Sequence, residues 1–323
     1  MCITDPAIPF GSIVVVIGAN GYMGVETCEK LLQAGFYVRG TVRDVEKHDP
    51  WMHKLFDESW PAFRGAQGVT YVSTPIIFDP DPVKVINPVI KGTINTLEEA
   101  APAGVKRYVL SSSSRAVEST VYDQPHHLSS NMFNYEAVSK ACCEPSIDGF
   151  DRCLTVYSAG RTLAELAFWS WVGKNQPSFV ANCVVPDGQF GRVLDVEHIS
   201  STFGMLKSTI KGDWDKVVGD LAYFTDVQDS ARLLVAAVAF PSVENERIFA
   251  YRHNSTWNGL RHKIQTLFPE KEGLVTGQDQ ESSGRDLSNA DQLIKRAEEI
   301  LKEIGRPGFA TEEDILPDFV GCL

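Results

Sequence analysis

Three glycines spaced three apart mark the first place where this chain could do chemistry: Gly18, Gly21 and Gly24 in the run Gly18-Ala19-Asn20-Gly21-Tyr22-Met23-Gly24. The run follows an apolar stretch at 12–17 (SIVVVI) and leads into a helical pattern. Each glycine has a task in a strand-to-helix turn that receives a pyrophosphate. Gly18 permits the tight turn, Gly21 lets backbone approach the phosphates, and Gly24 lets helix and strand pack closely. The first helical turn presents N–H groups without intrahelical partners, and these attract an anion. Glycine spacing alone can mean only a turn. Here the flanking strand and helix agree with a dinucleotide site, whose remaining loop residues are Asn20, Tyr22 and Met23. The end of the second strand discriminates between nucleotides. Val38-Arg39-Gly40-Thr41-Val42-Arg43-Asp44 has no carboxylate at the strand end, where a ribose 2′-hydroxyl would be held. Arg43 follows instead, and a guanidinium grips a 2′-phosphate in bidentate fashion. Lys47 adds a second positive charge, so NADP(H) is the expected cofactor. Asp44 is the rival ribose ligand but stands past the strand end. The plain structural reading of Arg43 and Lys47 is a solvated helix start.

The elements that must position these residues are read from periodicity. Short β-branched runs at 12–17, 37–42, 68–73, 107–111, 179–185 and 247–251 alternate with helical stretches at 26–32, 83–101, 155–174 and 227–240. Such alternation implies right-handed crossovers and a parallel sheet. Strands that are apolar throughout fit a sheet covered on both faces. After residue 186 the pattern changes. Glycine, aromatic and charged residues mix over 187–220, and 254–323 is polar and helical with a loop at 274–286. The expectation is an α/β protein: a Rossmann-type doubly wound parallel sheet (residues 1–186 and 221–253) with a small, discontinuous C-terminal substrate lobe (187–220 and 254–323).

Composition excludes several classes. The 323 residues are 43% hydrophobic and 22% charged, an ordinary globular balance. The formal net charge of −12 repels phosphate backbones and anionic membrane surfaces, so neither nucleic acid nor membrane is an expected partner. No apolar run approaches the ~20 residues of a bilayer span. The first ten residues lack the pattern of a signal peptide. Seven cysteines, at 2, 28, 142, 143, 153, 183 and 322, show neither a CxxC pair nor metal spacing. Free thiols, a reducing compartment and a cytoplasmic location are expected. The pair His126-His127 reads as a solvated loop, and Cys142-Cys143 as a loop detail; no metal site is expected.

A second constellation carries the reaction. Arg107-Tyr108-Val109-Leu110 runs into four serines, and 44 residues after Ser113 (157 − 113) comes Tyr157-Ser158-Ala159-Gly160-Arg161-Thr162-Leu163-Ala164-Glu165. Together with VIGANGYMG, VRGTVRD, VLSSS, VIKGTINTLEE at 89–99 and IGRPG at 304–308, these stretches make the chain resemble the extended short-chain dehydrogenases/reductases. That family includes dihydroflavonol reductases and NADPH-dependent aldehyde and carbonyl reductases. The likeness spans nearly the whole chain. It implies that Tyr157 exchanges a proton with the substrate oxygen and that Ser113 binds that oxygen, with Ser112 and Ser114 as competitors for the serine role. A cation four residues after the tyrosine would hold the nicotinamide ribose and lower the tyrosine pKa, whose ordinary value is about 10. Ser73, Thr74 and Pro186 are implied to line the cofactor. Ser114, Arg115, Gln189 and Phe190 are implied to line the substrate pocket, with plain packing the alternative for each.

Two departures from the family pattern bear on function. The cation is Arg161 rather than lysine, preceded by Gly160 rather than serine. At i and i+4 it shares a helix face with Tyr157 and keeps the charge, but it stays protonated and cannot relay a proton. Relatives also carry roughly twenty more residues between the positions of Ala62 and Arg64. Those residues form a further strand beside strand two, and their loss exposes a sheet edge next to the adenine site. A genuine deletion and an incorrect gene model both give such a gap. Three functions follow: NADPH-dependent reduction of a small-molecule aldehyde or ketone; a non-redox isomerase, dehydratase or cyclase on the same scaffold; or a non-catalytic NADP-binding regulator. A monomer or homodimer is expected.

Overall fold

A computed structural model describes residues 1–44, 46–48, 51–52, 64–72, 77, 79–143, 149–197, 201–217, 219–281 and 284–323. Six strands form the central sheet: β1 (Ile13–Ile17), β2 (Tyr37–Thr41), β3 (Ala66–Tyr71), β4 (Arg107–Ser111), β6 (Val180–Pro186) and β9 (Arg247–Ala250). A two-residue strand, β5 (His126–His127), intervenes in the chain. The sheet order is β2-β1-β3-β4-β6-β9, with every pair parallel. The chain runs outward from β1 to β2, then returns to β1's other side as β3. That reversal opens a crevice at the carboxyl ends of β1 and β3, where ligands of such sheets bind.

Helices cover both faces, which explains the unbroken apolar run of β1, whereas the edge strand β2 (YVRGT) is partly exposed. Val14 and Val16 enter one core with Leu31 of α1 (Tyr22–Gln33) and residues 233–239 of α6 (Val227–Ala239). Val15 enters the opposite core with Leu97 of α2 (Pro82–Ala100) and Phe168 of α4 (Gly149–Asn175). Start signals are local: Asp81 accepts the Val83 N–H ahead of Pro82, and Asp226 accepts the Gln228 N–H at the start of α6. A shorter helix, α3 (Tyr135–Cys143), precedes α4 and places both Cys142 and Cys143 at its exposed end.

The second body of side chains gathers around β7 (Gly188–Phe190), α5 (Thr202–Lys211), β8 (Tyr223–Asp226), β10 (His253–Asn254), α7 (Trp257–Leu267) and α9 (Glu312–Gly321). Phe190, Phe203, Leu206, Phe224, Trp257, Leu260 and Phe319 form its core. Helix α5, in a stretch of mixed glycine, aromatic and charged residues, buries Phe203, Leu206 and Ile210 along one face. Helix α8 (Asp291–Glu303), grouped by pattern with the lobe, instead buries Ala297, Ile300 and Leu301 in the sheet-side core beside α6. His126 and His127 pair in parallel with β11 (Ser288–Asn289), so they are a bridge rather than a loop. Among the described residues, no helix is long and apolar enough to cross a membrane.

Candidate active site

The glycine loop occupies the crevice at the end of β1. Gly18 has φ of +86°, a conformation that excludes most side chains. Its N–H and that of Ala19 both donate to the Thr41 carbonyl, at 3.1 and 3.2 Å, which fastens the loop to the end of β2. A Cβ on Gly24 would stand 2.1 Å from the Gly18 oxygen, so only glycine lets α1 start this close to β1. A Cβ on Gly21 would meet nothing nearer than that oxygen at 3.5 Å, and Gly21 is exposed. Asn20 is half-buried beside it. Tyr22 turns away: it is buried, donates to the Gly191 carbonyl at 3.2 Å and meets Phe203 edge-on. Its side chain therefore fastens the lobe. Met23 faces the sheet, where its Sδ accepts the Ser111 hydroxyl at 3.7 Å.

Past β2, Arg43 and Lys47 are exposed, and among the described residues neither is paired with a carboxylate. Asp44 accepts the Lys47 N–H at 3.0 Å. One of its two oxygens thus serves as a backbone cap at the start of the turn that carries Lys47. Ser73 and Thr74 lie outside the described residues; just before them the Val72 N–H donates to the Ile17 carbonyl at 2.9 Å. Pro186 is buried at the end of β6, beside Ala250.

Helix α4 brings the stripe of Tyr157 and Arg161 to the end of β4. Arg161 is 6% exposed, and its Nη2 donates to the Ser111 carbonyl at 2.8 Å. Its Nε is buried without a partner, and among the described residues no carboxylate pairs with it. Burial pushes the Tyr71 hydroxyl up, and the nearby Arg161 opposes part of that rise. Tyr157, one turn earlier, is half-buried. Gly160 faces α2, where a Cβ would touch Val85 at 3.5 Å, an ordinary contact.

The serines separate by environment. Ser112 is buried and donates to Glu165 Oε2 at 2.5 Å. Ser114 donates to Asp187 Oδ1 at 2.7 Å, and Asp187 Oδ2 accepts the Tyr223 N–H at 2.9 Å. Burial raises the Asp187 carboxyl, and Arg115 and Ser114 oppose that rise. Ser113 is half-buried, and its Oγ accepts the Arg115 N–H at 3.3 Å. That leaves the Ser113 hydroxyl proton for an outside oxygen, whereas the protons of Ser112 and Ser114 are committed to carboxylates. Gln189 Nε2 donates to the Asp187 and Gly188 carbonyls, and its Oε1 is buried without a partner. Phe190 is 0% exposed, packed on Phe224 and Trp257. It is a core residue here, with no surface to offer a substrate. His126 is held by Glu118 at 3.0 Å.

Glu165 is what sequence reasoning passed over. Its signal was the i, i+4, i+8 spacing of Tyr157, Arg161 and Glu165, but its partners are remote in the chain. The buried carboxylate receives Arg247 Nε at 2.5 Å, Arg247 Nη2 at 3.2 Å and Trp169 Nε1 at 3.2 Å, besides Ser112.

Comparison with known proteins places this geometry in context. No family model matches the chain. Aldehyde reductase 2 of Sporidiobolus salmonicolor is 31% identical over 346 residues, covering 99% of this chain and 98% of that protein. The alignment is 23 positions longer than this chain (346 − 323), so the relative carries residues with no counterpart here. The NAD-dependent epimerase/dehydratase terH of Aspergillus terreus is 27% identical, with 97% of each chain covered. Among solved structures, yeast methylglyoxal/isovaleraldehyde reductase Gre2 complexed with NADPH superposes with a TM-score of 0.77. That match has 18% identity and covers 96% of this chain and 97% of Gre2.

Proposed function

Because the chain belongs to the extended short-chain dehydrogenase/reductase family, we propose that it reduces an aldehyde or ketone with NADPH, with Tyr157 as proton donor. The observation that carries this reading is the bond from Arg161 to the Ser111 carbonyl. It seats the Tyr157 helix on the strand end that bears Ser113, and Met23 ties the same strand end to the glycine loop.

The residues present fit NADP(H). Gly18 and Gly24 form a turn that any Cβ at residue 24 would break, and Gly21 leaves open backbone where a pyrophosphate approaches. Arg43, with Lys47 near it, would hold the 2′-phosphate. The buried, unpartnered Nε of Arg161 is a donor that a ribose hydroxyl would satisfy. When bound, the reduced nicotinamide supplies the hydride for the carbonyl carbon. Ser113 donates a hydrogen bond to the carbonyl oxygen and so favours the charge that develops there. Tyr157 gives that oxygen its proton. The Arg161 guanidinium, on the same helix face, stabilises the phenolate left behind. It has no proton to pass on, so half-buried Tyr157 regains its proton from water.

Titration with NADPH, followed by nicotinamide fluorescence and compared with NADH, tests the cofactor assignment; a carbonyl screen then tests the reaction. Tyr157→Phe is expected to keep NADPH binding and lose turnover by about 10²- to 10⁴-fold, the usual worth of a positioned proton donor. A fully active Tyr157→Phe enzyme overturns the assignment.

A second reading, a non-redox isomerase, dehydratase or cyclase, is favoured by Arg161 standing where the family has lysine and by the name of the terH relative. Turnover without net NADPH oxidation supports it, and turnover strictly coupled to NADPH oxidation excludes it.

A further inference from the structure

Glu165 has no part in the chemistry above, yet four hydrogen bonds converge on its buried carboxylate. A carboxylate taken this far from water needs every lone pair satisfied. Arg247 alone would neutralise it, through the two bonds it makes. Arg247 is itself fixed: its Nη1 donates to the Ser130 and Met132 carbonyls, and its guanidinium lies 4.2 Å over the Phe133 ring. The pair is therefore a rigid post between α4 and β9. Besides the bond from Trp169 on the same helix, the post also receives the Ser112 hydroxyl.

Ser112 is gripped from two sides. Its N–H donates to the Val184 carbonyl at 2.7 Å while its hydroxyl meets Glu165. Ser113 follows directly, in extended conformation (φ −155°, ψ 150°), at the point where the chain turns into the short helix Ser114–Ala116. The same helix face that carries Tyr157 and Arg161 thus holds the peptide before Ser113 in place.

We propose that Glu165, held by Arg247, is a positioning residue: through Ser112 it sets Ser113 in register with Tyr157 on the same helix. The proposal rests on the reductase reading of Ser113 and Tyr157. Misplacing a reacting group by about 1 Å costs up to ~10²-fold in rate. A partial release is expected to cost less, mainly in kcat.

The test compares Ser112→Ala, Glu165→Gln, their double variant and Ser113→Ala. Ser112→Ala leaves the Glu165–Arg247 pair intact, so it decides the matter even where Glu165→Gln fails to fold. Its kcat is expected to fall about ten-fold, with KM and NADPH affinity within about two-fold. The double variant is expected to be no slower than Glu165→Gln alone, because both act through one bond. Backbone amides of 113–116 are expected to exchange hydrogen faster in Ser112→Ala. Wild-type kcat in Ser112→Ala, or independent losses that multiply in the double variant, overturns the proposal. So does an active Ser113→Ala beside a dead Ser112→Ala, which would make Ser112 the oxygen-binding serine. If the wild-type protein reduces no carbonyl, the reductase reading fails by itself. Amide exchange at 113–116 then decides the positioning role: faster in Ser112→Ala supports it, unchanged overturns it.

Discussion

At the scale of single residues, the proposed preference for NADP(H) rests on which charged group follows β2. Asp44 and Arg43 are neighbours of opposite sign, and sequence position favours Arg43 with Asp44 as the rival ribose ligand. One Asp44 oxygen caps the Lys47 N–H, and Arg43 is exposed and, among the described residues, in no ion pair with a carboxylate, which supports the Arg43 assignment. Arg43→Ala is therefore expected to weaken NADPH binding by about 10- to 100-fold, the worth of a charge-assisted hydrogen-bond pair. NADH binding should stay unchanged. Fluorescence titration of both nucleotides checks this. An equal loss for the two would mean that Arg43 touches a part they share. The serines are a second case of the same kind. Four in a row are indistinguishable by type, and their partners sort them: Glu165 takes Ser112, Asp187 takes Ser114, and Ser113 keeps its proton.

At the scale of elements, the glycine loop divides its work between two positions, and two substitutions separate them. Gly24→Ala places a methyl 2.1 Å from the Gly18 carbonyl and 3.1 Å from the Ala19 carbonyl carbon, both backbone. Helix α1 must move off β1, so a loss of about 1–3 kcal/mol in stability is expected together with a loss of NADPH binding. Gly21→Ala makes only an ordinary contact at 3.5 Å, so its melting temperature should stay near wild type while NADPH affinity falls. Thermal melting beside nucleotide titration reads both; a Gly21→Ala protein that binds NADPH normally would place the pyrophosphate elsewhere. Most of these strands and helices were legible in the sequence from local pattern: β1, β4 and β6 are short runs buried on both sides, and α2, α4 and α6 are long. What escaped depends on distance. Helix α5 does carry a stripe, Phe203, Leu206 and Ile210, but it is only ten residues long inside a glycine-, aromatic- and charge-rich stretch. The stripe of α8 says that one face is buried but not that the sheet buries it. His126-His127 becomes a strand only by meeting Ser288-Asn289, and Glu165 gains its role only through Arg247, 82 residues on.

At the scale of the whole molecule, the lobe is fastened to the sheet by polar groups withdrawn from water. Arg192 grips buried Glu26 with two bonds, at 2.7 and 3.0 Å, and also meets Glu29. Tyr22 donates to Gly191, and Asp229 accepts the Ala310 N–H at 2.6 Å while paired with Arg232. Asp226 stands at the same junction, 5% exposed, between β8 and α6. Burial, with Asp229 as the next cause, raises its carboxyl to about 7. An unfolded aspartate ionises near 3.9. Between those two values the folded chain keeps a proton that the unfolded chain has released. The contribution of this group therefore favours folding at low pH, shrinks as pH rises from about 4, and is gone above about 7. Asp226→Asn keeps an oxygen for the Gln228 N–H and removes the ionisation. The stability of this variant relative to wild type is expected to climb with pH from about 4 to about 7 and then level off. The climb approaches on the order of 1 kcal/mol per pH unit at its steepest. Denaturant unfolding at a series of pH values measures that difference directly. A difference that stays flat across the range would mean that Asp226 ionises like an exposed carboxylate, and that water reaches the junction between lobe and sheet.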